Sequence, residues 1–206
     1  MPQIRPYRPA DRDGLYDVCV KTADSGADAT GILSDDRLWG DVWAVPYAER
    51  HPDLCWVVES DDARVIGYIV ATDDTLSFER WFHDEWWPTR VGEYPEPPVT
   101  GHPRQDWVMS YAAARGGNDE PNAAEYPAHL HIDLLPETQG MGLGRRLTEL
   151  LFTELAGRGV AGLHLGMNPD NIGAGKFYER LGMQVLPSAE GVRVYGVRFG
   201  APSAIG

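Results

Sequence analysis

The run Leu130-His131-Ile132-Asp133-Leu134-Leu135, then Pro136-Glu137-Thr138, then Gln139-Gly140-Met141-Gly142-Leu143-Gly144-Arg145-Arg146, decides how this chain folds. An apolar stretch gives way to a turn. Alternate glycines then open a segment in which Leu147, Leu150, Leu151 and Leu155 recur at helical spacing. From His129 to Met183 the pattern reads strand, glycine loop, helix, strand, helix. The glycines place bare amides at a helix N-terminus, where unsatisfied N–H donors and partial positive charge favour a phosphate. Lacking a Cβ, such a backbone can approach its ligand closely.

Two common phosphate-loop patterns do not fit. A P-loop ends in Gly-Lys-Ser/Thr, whereas Gly144 is followed by Arg145. The dinucleotide fingerprint spaces its glycines G-x-G-x-x-G after an early strand, whereas this loop reads G-x-G-x-G and lies two-thirds along the chain. The stretch does carry Q-x-x-G-x-G at Gln139, Gly142 and Gly144, followed downstream by Asn171-Ile-Gly-Ala174-Gly-Lys-Phe177-Tyr178-Glu-Arg-Leu-Gly182-Met183. In this order and spacing the two motifs resemble the cofactor-binding core of the GNAT family of N-acetyltransferases. The resemblance implies an α/β fold with a central mixed sheet of about six to seven strands flanked by helices. It also implies acetyl-CoA (coenzyme A) as the cofactor and an amine as acceptor.

A length of 206 residues suits one domain with a sizeable core, taken here as 1–206. No apolar run is long enough to span a membrane, and the N-terminus lacks the apolar core of a signal peptide. Cys19 and Cys55 make no disulfide framework and read as small buried hydrophobes, so a cytoplasmic setting is expected. The net charge of −13 argues against nucleic acid and anionic membranes as partners. It would keep the chain soluble or draw a cationic acceptor. Coenzyme A, itself anionic, must then be held by local dipoles and a few cations, for which Arg145 and Arg146 are placed.

Outward from the core stretch, Ile4 to Tyr7 reads as an edge strand and 9–23 as a helix opened by Pro9. Ser34 reads as the cap of a second helix with Leu38, Trp39, Val42 and Trp43 on one face, stopped by Pro46. Strands are expected at 54–59 and 65–71, another over 160–167, and a closing hairpin from 184–186 and 192–199, with a loose tail from about Gly200. The segment 73–126 is an aromatic-rich insertion. A helix is expected around Phe78, Trp81, Phe82 and Trp86, an extended run over 94–98, and another helix near Trp107 to Tyr111. Its tryptophans either fill a second small core or wall the substrate side.

Further segments narrow the match: Tyr16 to Gly26, Leu38-Trp-Gly-Asp41, Pro46-Tyr47, Ile66-Gly-Tyr68 and Asn168-Pro-Asp-Asn171. These resemble the acetyltransferase-like C-terminal domain of O-GlcNAcases, over most of the chain, and imply a stand-alone bacterial relative of it. A chain of this length has no room for a barrel of about 250 residues, so glycosidase activity is not carried over. Acetyl transfer is uncertain as a class property of that domain, which leaves an acyl-CoA-binding or interaction module as the alternative.

By resemblance, the pantetheine arm lies along Asp133, Leu134 and Leu135 through main-chain groups, as an added strand would. The pyrophosphate then meets the amides of Gln139, Gly140, Met141, Gly142, Leu143 and Gly144, with Arg145 nearby. Asn171 is expected to bond the cofactor or its loop, Phe177 to pack on the thiol arm, and Tyr178 to act as general acid to the leaving thiolate. A lysine-like amine has a pKa near 10.4, so making it neutral at pH 7 costs roughly 4.6 kcal/mol. A base lowers that burden. Where histone-type relatives carry a Glu, this chain has His129, and His129, His131 and Asp133 alternate onto one face. His129 and Asp133 are the candidate bases, beside a water relay or no base at all. The same three residues also admit a metal reading, which the scattered remaining histidines do not support.

Overall fold

The computed structural model describes residues 1–117 and 120–200. The expected tail beyond Gly200 lies outside the described residues.

Seven strands form one sheet in the order β1-β2-β3-β4-β5-β7-β6. They are β1 (Gln3–Pro6), β2 (Trp56–Glu59), β3 (Val65–Thr72), β4 (Ala128–Leu134), β5 (Gly162–Met167), β6 (Gln184–Leu186) and β7 (Arg193–Arg198). Every pairing is antiparallel except β4 with β5. β3 is buried at all eight positions, because helices cover both faces of the sheet and its sequence is apolar throughout.

The helices are α1 (Arg12–Val20), α2 (Arg37–Trp43), α3 (Val45–Arg50), α4 (Thr75–Trp81), α5 (Pro103–Ala114), α6 (Leu143–Gly157) and α7 (Ile172–Arg180). The side chains of β4 sort them into two layers. Odd positions meet α1 and α3: His129 and His131 touch Tyr47, and Asp133 is bonded by Tyr68 beside Cys19 of α1. Even positions meet the other layer, where Leu134 packs against Gly144 of α6 and, across it, Phe177 of α7. Leu147, Leu151 and Leu155 form the fully buried stripe of α6, each contributing about 1.5–3 kcal/mol of apolar burial.

Several local expectations change in the fold. The helix expected over 9–23 is a 3-10 turn at Pro9–Asp11 followed by α1. Ser34 caps nothing: its amide and hydroxyl both donate to Gln105 Oε1, at 2.8 and 2.7 Å, so a tie to α5 displaces the local cap. Pro46 does not stop α2, which ends at Trp43; it lies in the first turn of α3, where its missing N–H costs nothing. Cys19 and Cys55 are buried free thiols.

The insertion does not form a second core. Phe78, Phe82, Trp86, Trp87 and Tyr94 join the same buried cluster as the sheet residues. Asp41, 1% exposed, fixes the Pro-rich turn by accepting the hydroxyls of Tyr16 and of Tyr94, the latter at 2.6 Å. Trp107 and Tyr111 stay exposed, in near-parallel stacks with Trp43 at 6.1 and 5.4 Å. No helix among the described residues is long and apolar enough to cross a membrane.

Candidate active site

The site begins where the sheet splits. β4 and β5 pair only at Ala128 with Leu163 and His129 with His164, while β4 stays paired with β3 as far as Leu134. Beyond His129, one edge of β4 is therefore open. The amide of Leu135 donates to Ile66 O at 3.0 Å, so the odd residues of β4 bond β3 and the N–H and C=O of Ile132 and Leu134 turn to the open side. The carbonyl of Leu135 accepts the amide and hydroxyl of Thr138 at 2.9 and 2.7 Å. The main-chain groups expected from Asp133 and Leu135 are thus committed within the fold, and of the three expected residues Leu134 has main-chain groups on the open side. Ile132 joins it. Strand alternation would have identified Ile132, given the register with β3.

The open edge leads to the glycine loop. Gly140 and Gly142 have φ of +76° and +70°, a region that disfavours other residues, and a Cβ at either would meet nothing within 4 Å. The amides of Gln139 and Met141 are engaged with Pro136 O and Thr138 O. Those of Gly140, Gly142, Leu143, Gly144 and Arg145 find no acceptor among the described residues, and Gly142 offers no side-chain cap. Five donors without a partner among the described residues thus gather at the N-terminus of a 15-residue helix. Arg145 pairs along the helix with Glu149 at 2.7 Å. Gly144 serves packing: a Cβ there would lie 3.0 Å from Leu134 and 3.3 Å from Phe177. A cleft of about 490 Å³ opens beside the loop, between Lys21, Gly26, Arg64, Leu135 and Glu137. A second cleft, about 630 Å³, lies around Asn122, Tyr126, Leu186 and Ser188 and contains none of the expected site residues.

Asn171 caps α7 by accepting the Ala174 amide at 3.1 Å and donates to Ser25 O at 3.2 Å. Asn168 reaches the Ser25 hydroxyl at 3.3 Å. Two segments far apart in sequence, 16–26 and 168–171, thus meet at one corner of the site. Asn171 holds the loop and caps the helix, which leaves only part of its amide for any ligand. Phe177 stacks edge-on against Tyr178 at 5.3 Å. Tyr178 is buried, yet its hydroxyl has no hydrogen-bond partner among the described residues. Burial, and after it the Asp133 carboxylate, push its phenol up.

On the other face of β4 the polar side chains separate into two kinds. His129 is buried, and both ring nitrogens are engaged, by Tyr47 OH at 2.7 Å and Thr75 Oγ1 at 2.8 Å. This removes the open nitrogen that a base needs, and burial, with the neighbouring His164 and His131 and then Arg115, holds its pKa well below the ordinary value. Asp133 is half-buried and accepts the Tyr68 hydroxyl at 2.5 Å through Oδ2, while Oδ1 has no partner among the described residues. Burial raises its carboxyl above the ordinary value, opposed first by the Tyr68 hydroxyl. His131 is half-buried and bonds Tyr47 OH at 3.1 Å. Behind Tyr47, Arg115 and Glu79 form a buried two-point ion pair, and Arg115 also donates to Val42 O at 2.7 Å. Within the His-x-His-x-Asp run, Tyr47 joins His129 to His131, and Tyr68 holds Asp133 separately. Among the described residues no cluster of His, Cys, Asp and Glu has a metal-binding arrangement.

A family model described as Acetyltransferase (GNAT) family matches residues 27–183. The Protein O-GlcNAcase of Rattus norvegicus is 24% identical over 190 residues, covering 91% of this chain and 20% of the relative, as is that of Mus musculus. The chain thus spans about a fifth of the length of these curated relatives. Among solved structures, SsHAT is 37% identical and superposes with a TM-score of 0.87 over 96% of this chain and 98% of that one. A GNAT superfamily phosphinothricin acetyltransferase (Pat) from Sinorhizobium meliloti, solved in complex with AcCoA, is 13% identical with a TM-score of 0.56, over 98% of this chain and 91% of that one. At that identity the likeness is one of fold.

Proposed function

The chain belongs to the GNAT acetyltransferase family, and from that premise we propose that it moves an acetyl group from acetyl-CoA to an amine by direct attack, with Asp133 as base and Tyr178 as general acid. One observation carries the proposal. The free edge of β4 begins at the last β4–β5 pair, runs past the open groups of Ile132 and Leu134, and ends at five unpaired amides. A molecule with an amide-bearing arm at one end and a diphosphate at the other matches that sequence of donors and acceptors.

When bound, acetyl-CoA supplies an activated acyl carbon; the rest is done by side chains of this chain. The amides of Gly140, Gly142, Leu143, Gly144 and Arg145 hold the diphosphate. Asp133 Oδ1 accepts the proton that the attacking amine loses. Its raised carboxyl suits it to that task better than either histidine, because His131 is pulled down to about 3 by burial and Arg115, and His129 is held well below the ordinary value by burial. Tyr178 gives its proton to the leaving sulfur. The Asp133 charge is one cause of the raised Tyr178 pKa, so protonating Asp133 makes the phenol a better donor as the thiolate departs.

Calorimetry with acetyl-CoA, followed by thiol release across a panel of primary amines and lysine peptides, tests this. Absence of binding sinks the whole reading. Binding without thiol release favours the second reading, an acyl-CoA-binding module like the C-terminal domain of the O-GlcNAcases, which the 24% identity over 91% of the chain supports.

A further inference from the structure

Resting on this reading, the arrangement of His131 points to the class of acceptor. His131 and Asp133 are two apart on β4, so they share a face, and both lie past the last β4–β5 pair. Each keeps one acceptor atom open: Asp133 Oδ1 and His131 Nδ1 have no partner among the described residues, and neither is a sealed buried atom.

The surrounding hydrogen bonds assign the proton of His131 to one nitrogen. Thr75 Oγ1 donates to Pro127 O at 2.7 Å and so accepts from His129 Nδ1 at 2.8 Å, leaving His129 Nε2 as an acceptor. Tyr47 OH meets that nitrogen at 2.7 Å, the distance of an O–H donor, against 3.1 Å to His131 Nε2, the distance of an N–H donor. Arg115 donates to the same phenol at 3.2 Å, so the oxygen already takes one N–H and can take one more. His131 therefore carries its proton on Nε2 and presents a bare lone pair at Nδ1. Burial, and after it the Arg115 guanidinium, keeps the ring neutral.

We propose that His131 Nδ1 and Asp133 Oδ1 together cradle the two N–H groups of a neutral primary amine, which makes His131 a specificity-determining residue for primary over secondary amines. One N–H is held by His131 and is retained in the product amide. The other proton goes to Asp133 as the nitrogen lone pair bonds to the acyl carbon and the C–S bond breaks. The sulfur takes the proton of Tyr178, which is restored from Asp133 through solvent. The balance is amine plus thioester to amide plus thiol. A secondary amine has one N–H and leaves His131 unmatched.

The test uses the full chain, saturated with acetyl-CoA, and the probes benzylamine and N-methylbenzylamine, read by thiol release. The wild type should favour benzylamine in kcat/KM by about tenfold, the scale of one hydrogen bond. His131→Leu should erase that preference while leaving acetyl-CoA affinity unchanged, whereas a preference set only by the bulk of the methyl group would persist. Equal use of the two amines by the wild type, or an undiminished preference in the variant, overturns the assignment. Side-chain 15N NMR of the unsubstituted protein is independent of turnover: His131 protonated at Nε2 supports the proposal, and protonation at Nδ1 overturns it. If acetyl-CoA binds but neither these amines nor any member of the primary-amine and lysine-peptide panel releases thiol, the transfer reading fails and this inference fails with it.

Discussion

Replacing Arg115 with Met tests whether the insertion is built into the site or merely laid over it. Arg115 is 5% exposed and makes four bonds: two to Glu79, one to Val42 O and one to Tyr47 OH. Its guanidinium also lies 3.9 Å from the Phe82 ring centre. Removing the cation strands a carboxylate whose side chain is 9% exposed, and breaking one side of a buried pair costs about 3–5 kcal/mol. For a chain of this size each kcal/mol is worth about 2–4 °C, so the midpoint of thermal unfolding should fall by about 6–20 °C. Glu79→Gln alone should cost a similar amount, because it strands the arginine. The double variant Glu79→Gln/Arg115→Met should recover most of the loss, since no charge then remains unpaired. Urea or thermal unfolding of the four proteins completes the cycle. A single-variant cost below about 1 kcal/mol, or losses in the double variant equal to the sum of the singles, would refute the claim that this pair is buried and mutually dependent.

Other perturbations separate binding, chemistry and stability. Gly142→Ala meets no atom within 4 Å and should cost only the left-handed backbone strain, about 1–2 kcal/mol by urea unfolding, while Gly142→Glu should abolish acetyl-CoA binding in calorimetry. Tyr178→Phe removes a hydroxyl with no hydrogen-bond partner among the described residues, so unfolding should be unchanged while kcat falls by about a hundredfold or more at constant acetyl-CoA affinity. Asp133→Asn should abolish turnover and leave the fold as stable or more so at pH 7. The carboxyl of Asp133 is raised in the folded state, so the folded form binds its proton more tightly. That stability is present below the unfolded value of 3.8 and is lost as pH rises through the folded value, which leaves the ionised group destabilising at neutrality. By the same shift, kcat/KM should lose an essential base as pH falls into a range above that of an ordinary carboxylate, and a pH–rate profile would show this limb.

The parts of the site that the sequence revealed are those made by backbone. Glycines at 140, 142 and 144 must be glycines for reasons of φ or close packing, so their spacing identifies a loop before any contact is known. Strand and helix periods placed every element of the sheet. Errors arose where a distant residue overrode a local preference, as Gln105 does at Ser34. The same cause hid the standing of the histidines. Alternation put His129 and His131 on one face, yet only Tyr47, Thr75 and Arg115, from three other elements, determine that one is sealed and the other open.

This division explains how one fold can keep its donor and vary its acceptor. In the proposed reading, the coenzyme side is formed by main-chain groups of β4 and α6, which tolerate side-chain change provided the glycines remain. The amine side proposed here is formed by side chains whose protonation depends on other elements: Glu79 and Arg115 come from the insertion, Tyr47 from α3, and together they bias the tautomer of a histidine on β4. Substitutions in the insertion that touch no substrate would therefore alter which amine is accepted and leave acetyl-CoA affinity as it was. Tyr47→Phe isolates that effect. It deletes the hydroxyl shared by His129, His131 and Arg115, freeing His131 to exchange its proton between nitrogens, and should erode the preference for primary amines without weakening acetyl-CoA binding in calorimetry. A variant that lost affinity for acetyl-CoA and kept its amine preference would show that the two sides are not built separately.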